Sequence, residues 1–176
     1  MAKFRVYLLI LVVSMLIAGL YGILHNQISY TVSPEYFTKF KFRTFGLVES
    51  RLPARILASI VGFLASWWMG IPIGLLVGGM GFIQSEPARM LRVSLKALVV
   101  VVGVALLVGL AGLACGWVQT THIDVAEYRG WYIPDDVTDL RRFLCAGYMH
   151  NASYLGGVLG IPVAWAYQIV KKIRKG

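Results

Sequence analysis

Four apolar runs free of Asp, Glu, Lys, Arg and His divide the chain, at residues 6–24, 56–83, 97–118 and 154–170. Each is about as long as the roughly 20 helical residues that cross a bilayer core roughly 30 Å thick. Backbone groups in lipid must find their partners within the segment, so the runs predict helices rather than open strands. Polar sequence collects in two long connections, about 25–55 and 119–153, and a short one, about 84–96. The pattern predicts an all-α membrane protein with four transmembrane helices, a bundle of two hairpins. The two long loops would form a small, partly helical outer cap, and residues 1–176 would make a single integral membrane domain.

The first run follows a basic flank, Met1-Ala2-Lys3-Phe4-Arg5, as a signal peptide would. Its apolar stretch exceeds the usual 7–15 residues and lacks a clear small-x-small cleavage site, so it reads as a retained anchor. In the first long loop, Ser33-Pro34-Glu35 has the make-up of a helix start, with Tyr36, Phe37 and Phe40 on one face. Phe40-Lys41-Phe42-Arg43 also alternates as a strand would. In the second, Asp135 reads as a helix N-cap, with Asp139 placed to meet Arg142, and that helix runs through His150 into the fourth span.

Glycines repeat every fourth residue at Gly70, Gly74 and Gly78, at Gly112 and Gly116, and at Gly156 and Gly160. Such spacing lets helix backbones approach closely, within one chain or between copies. The tripeptide Gly-Ile-Pro occurs at 70–72 and again at 160–162, each time in a span running inward. Proline there should kink both helices, and the two hairpins read as distant repeats.

Composition agrees with this reading: 58% of residues are hydrophobic and 14% charged, against about a quarter charged in an ordinary soluble domain. The net charge of +9 does not signal nucleic-acid binding, because the cations sit at span ends, where they meet lipid head groups. Nine Lys and Arg residues fall on the N-terminal side of the membrane and eight on the other, but the nine lie in much shorter segments. With the tail Lys171-Lys172-Ile173-Arg174-Lys175, that density predicts both termini in the cytoplasm. A bacterial inner membrane, with the long loops periplasmic, is the natural setting. Cys115 and Cys145 both fall near the outer side, where a disulfide between span three and the second loop is an option.

Candidate chemistry also falls outside. His25, His122 and His150 flank spans at similar depth, and imidazole is a common ligand of zinc, iron and copper. Asp124 and Glu127 would complete or support such a transition-metal site. The alternative is three structural histidines at an interface. Asn26, Glu35, Tyr148 and Asn151 form a candidate polar cap for a ligand. Lys39, Lys41, Arg43, Arg141 and Arg142 are candidate contacts to lipid phosphates. The chain lacks a nucleophile elbow, a P-loop and a dinucleotide fingerprint, and its spans lack the ionisable groups of a proton-coupled transporter. Three readings stay open: a ligand-binding cap with or without metal, an accessory subunit packed against other membrane proteins or a second copy, and a lipid-handling protein.

Overall fold

The computed structural model describes residues 2–174; Met1 of the basic leader and Lys175 of the basic tail lie outside them. It is 82% helical, with no strand among the described residues, as the apolar runs predict. Four helices are long and apolar enough to cross a membrane: Lys3–Val32, Ala54–Ile83, Pro87–Gln119 and Leu140–Ile173. The first is α1 (Lys3–Val32), the third α5 (Pro87–Gln119) and the fourth α6 (Leu140–Ile173). The second is α3 (Ala54–Ser66) and α4 (Gly70–Met80), joined by a 3₁₀ turn at Trp67–Met69 and followed by another at Gly81–Ile83. A short helical turn, α2 (Phe42–Thr44), lies in the first loop.

Small residues set the pairing within each hairpin. Gly22 of α1 and Gly62 of α3 lie backbone to backbone, and Gly70 and Gly74 of α4 lie against Met15 and Ser14. Ser14 Oγ donates to the Gly70 carbonyl at 2.6 Å, which ties the crossing. In the second hairpin, a side chain at Gly156 or Gly160 would meet the Cα of Ala105 at 2.8 Å or of Val101 at 2.9 Å. The glycine faces singled out by their spacing are thus largely consumed inside the chain, as close helix approach requires.

The Gly-Ile-Pro tripeptides behave differently. Pro72 has no N–H for the Trp68 carbonyl, and the helix tightens to 3₁₀ just before it, where the Gly70 N–H serves Trp67 and Trp68. Pro162 is carried inside α6 without a change of helix type. A change of helix type therefore accompanies the tripeptide in one hairpin only.

The hairpins meet most closely at the end holding the 84–86 turn. There Val6, Ile10, Val77, Met90, Leu98 and Val101 form a core. Beside it, Gln84 Nε2 donates to the Gln168 carbonyl at 3.1 Å and Gln168 Nε2 donates to the Val77 carbonyl at 2.9 Å. At the opposite end, α3 packs on α1 and on the 36–44 segment rather than on α5 or α6. That segment fills the wedge with a second core of Tyr36, Phe37, Phe42, Leu57, Val61 and Phe143.

The loops differ in detail from expectation. Ser33 starts the first as a cap, its Oγ accepting from the Tyr36 N–H at 3.2 Å. The chain then winds into a π-helix, Tyr36–Lys41, in which the Phe42 N–H reaches the Phe37 carbonyl five residues back. Gly46, at φ +66°, ends the segment in the left-handed conformation that glycine tolerates best. In the second loop, Asp139 rather than Asp135 caps α6, accepting from the Arg142 N–H at 3.0 Å. The N–H groups of Thr138 and Asp139 are held by Glu35, and Asp136 turns to Arg43. The disulfide does not form: Cys145 is buried with its Sγ 3.5 Å from Thr120 Oγ1, whereas Cys115 is exposed on another face of α5, and both are free. Gly116, next to Cys115, is the residue that faces Cys145.

Candidate functional site

Tyrosine and histidine recur one helical turn apart on α1 and α6, as Tyr21 and His25 and as His150 and Tyr154. The helices run in opposite directions, so both pairs place the histidine toward the loop end and the tyrosine one turn deeper. Two layers result. In the upper one, the His25 and His150 rings meet edge-on with centroids 4.5 Å apart. In the lower one, Tyr21 is hydrogen-bonded to Ser153 of α6.

These layers roof a cavity between the hairpins, of about 850 Å³ including the space open at its mouth. Its deep wall is apolar, made by Ile17, Ile73, Leu98, Val101 and Ala105. A second cavity of about 670 Å³ lies nearer the loops, against Trp131, Tyr132 and Asn151. Lys41, His150 and Tyr154 are walls of both.

Each histidine is placed by its neighbours. The Asn26 amide donates through Nδ2 to the Ala58 carbonyl at 3.0 Å, which turns Oδ1 toward His25 Nδ1 at 3.4 Å. An amide oxygen can only accept, so this contact favours the tautomer of neutral His25 with the proton on Nδ1 and the lone pair on Nε2. That Nε2 is buried and has no protein partner. His150 Nε2 meets Ser29 Oγ at 3.1 Å, and its ring stacks on Tyr36 at 4.8 Å.

The π-helix brings in Lys41. Its Nζ lies 4.5 Å from the Phe40 ring centroid and 5.5 Å from that of Tyr36, contacts that favour a partly desolvated ammonium. Burial pushes the Lys41 ammonium below the usual lysine range and the Tyr36 phenol well above the usual tyrosine range. Lys41 makes no ion pair with a described carboxylate.

The other candidate cations are committed elsewhere. Lys39 pairs with Glu35 at 2.5 Å, Arg43 with Asp136 at 2.6 Å, and Arg142 with Asp139 at 3.4 Å. Arg141 donates to the Trp117 carbonyl at 3.1 Å and lies over the Trp117 ring. Glu35 clasps the two loops together. It accepts from Asp139 N–H, Lys39 Nζ and both donors of Thr138, and these hold its carboxyl at about 2. The Arg43 guanidinium likewise holds Asp136 below the usual carboxylate range.

The proposed metal ligands do not come together. His25 and His150 meet, but His122 is exposed in the turn after α5. Asp124 is spent on the Ala126 N–H at 2.9 Å, and Glu127 is exposed. Among the described residues no three His, Cys, Asp or Glu side chains are grouped to hold a metal ion. Tyr148 leaves the ligand set for an aromatic cluster: its hydroxyl lies 3.4 Å from that of Tyr128, and its ring 5.2 Å from Trp131. Burial, with the Tyr148 hydroxyl next, pushes Tyr128 up to about 12. Asn26 positions His25, and Asn151 lines the loop-side cavity.

Tyr21, Ser29, Tyr36, Ser153 and Tyr154 were not legible as site residues, because uncharged polar side chains inside or beside apolar runs attract no attention singly. The mirrored Tyr-x₃-His and His-x₃-Tyr spacings on antiparallel spans were the signal that could have found two of them. Comparison of the chain with protein-family models, with curated proteins and with solved structures finds no match.

Proposed function

We propose that this is an integral membrane protein that binds one amphiphilic lipid between its two hairpins. The chain of the lipid would occupy the apolar cavity, and its polar head would sit among Lys41, His25, His150 and Tyr154. The observation that carries this reading is the site of Lys41: a half-buried cation with no carboxylate partner among the described residues, on the wall shared by an apolar cavity and a polar one. An isolated buried charge is costly, and an anionic or strongly polar head group would offset that cost. The exposed Leu8, Leu16, Leu20, Leu107 and Val158 suit a lipid-facing exterior. The orientation that goes with this reading has both termini in the cytoplasm of a bacterium and the loop layer forming a periplasmic cap.

The test is lipid analysis of protein purified in mild detergent, beside a Gly157→Leu variant. Gly157 lines the cavity, and a Cβ there would meet nothing within 4 Å, so the larger side chain fills the cavity without displacing backbone. Near-stoichiometric lipid in the native chain, lost in the folded variant, is the expected result. Lipid no more abundant than in the surrounding micelle, or equally abundant in both proteins, would overturn the reading. A metal-centred function would need a third ligand that the histidine pair does not have among the described residues.

A further inference from the structure

The head-group layer contains two unmet demands of different kinds. Lys41 is a cation without a described carboxylate partner. His25 is only 4% exposed, lines the cavity, and its Nε2 has no partner. The Ala58 carbonyl orients the Asn26 amide, and that amide favours the tautomer in which the Nε2 of neutral His25 is an acceptor. Both line the same cavity, so a ligand that satisfies both must present an anionic oxygen and a hydroxyl hydrogen. Neither cavity wall includes an Asp or Glu that would repel an anion.

We infer that the ligand is a lipid phosphomonoester, whose anionic oxygen meets Lys41 and whose P–O–H donates to His25 Nε2. The inference rests on the lipid-binding reading above and names its head group. A monoester phosphate has its second pKa near 6, and a low-dielectric site favours the form with one negative charge and one remaining P–O–H. A phosphodiester keeps the charge but has no P–O–H and leaves Nε2 unmet. A long-chain alcohol offers the hydroxyl but nothing anionic to Lys41. A deprotonated fatty acid resembles the diester in this respect. Asn26 acts as a positioning residue that favours the tautomer in which His25 Nε2 is free.

Four probes separate these chemistries on delipidated native protein in a non-ionic detergent: hexadecyl phosphate, hexadecyl methyl phosphate, hexadecanol and inorganic phosphate, each titrated by calorimetry. Hexadecyl phosphate should bind about tenfold or more tighter than its methyl ester, the effect of one hydrogen bond to a buried group. Hexadecanol should bind weaker still, and inorganic phosphate should not compete. Lys41→Ala should weaken both phosphate lipids about tenfold. His25→Phe should bring the monoester down to the level of the methyl ester while leaving the methyl ester unchanged. Equal binding of monoester and methyl ester by the native protein would overturn the head-group inference and leave lipid binding standing. Inorganic phosphate binding as tightly as hexadecyl phosphate would overturn the lipid reading and keep the phosphate site. Hexadecanol binding as tightly as the monoester would remove the anion from the proposal. The native comparison needs no substitution, so a variant that fails to fold leaves the test intact.

Discussion

Glu35 is the residue on which the two long loops converge, and its chemistry can be read from its partners. The carboxylate accepts from two backbone N–H groups of the second loop, at 3.0 and 2.9 Å, as well as from Lys39 and the Thr138 hydroxyl. Hydrogen bonds to a charged acceptor exceed neutral ones, but about a fifth of each side chain of the Lys39 pair is open to solvent, which discounts the ion pair itself. Glu35→Gln keeps the shape, loses the charge and should cost about 1–2 kcal/mol. The carboxyl is held at about 2 in the folded protein, against 4.5 ordinarily. Its contribution is therefore complete above about 4.5 and disappears as the pH falls toward 2. Thermal unfolding in detergent at pH 7, 4.5 and 2.5 should show the native chain losing its advantage over Glu35→Gln across that window. Parallel curves for the two proteins would remove Glu35 from this role.

At the scale of the elements, glycine position decides which substitutions the bundle tolerates. A side chain at Gly62 would run into the Gly22 backbone of α1, where nothing flexible can move aside. Gly103, on α5, faces open space. Gly62→Leu should abolish monodisperse protein on gel filtration, whereas Gly103→Leu should elute and unfold like the native chain; equal tolerance would mean that α1 and α3 do not cross at these glycines. Four-residue spacing made the close approaches at Gly70, Gly74, Gly156 and Gly160 legible, whereas Gly22 and Gly62 belong to none of the repeats singled out in the sequence. Spacing could not reveal the π-helix. Phe40-Lys41-Phe42-Arg43 alternates like a strand, and the sequence does not advertise the extra residue that Tyr36–Lys41 accommodates. That one local irregularity brings Lys41 to the cavity wall while Lys39 and Arg43 pair with Glu35 and Asp136. The five candidate phosphate contacts were thus chemically alike in sequence and separated only by tertiary pairing. His122 differed from its two fellows for a similar reason: it lies beyond the end of α5, whereas α1 continues eight residues past its apolar run and α6 begins fourteen residues before its own. Helix ends do not follow the ends of apolar runs, so equal depth for three histidines could not be inferred from them.

For the whole molecule, the two ends of the bundle carry different charge. The turn end gathers Lys3, Arg5, Arg89, Arg92, Lys96, Lys171, Lys172 and Arg174 against a single acid, Glu86, whereas the loop end sets eight cations against seven carboxylates. Folding sharpens the contrast. Lys3 reaches the Phe82 carbonyl at 3.2 Å and Arg89 reaches that of Lys171, which draws both chain ends to the 84–86 turn. Three of the loop-end cations are meanwhile matched by Glu35, Asp136 and Asp139. The cytoplasmic leaflet carries anionic lipid, and each basic side chain near it contributes about 1 kcal/mol of attraction. This asymmetry predicts insertion with the turn end inside, even though the counts of Lys and Arg on the two sides are nearly equal. A cysteine-free background (Cys115→Ala, Cys145→Ala) carrying either Ser85→Cys or Asp135→Cys tests this directly, since both positions are exposed. In intact bacterial spheroplasts, a membrane-impermeant maleimide should label Asp135→Cys at once and Ser85→Cys only after the membrane is opened. The reverse pattern would place the Lys41 layer on the cytoplasmic side and bring any bound head group from the inner leaflet. Labelling of both positions in intact spheroplasts would mean that the chain inserts in two orientations, and charge asymmetry would then not be what fixes this bundle in its membrane.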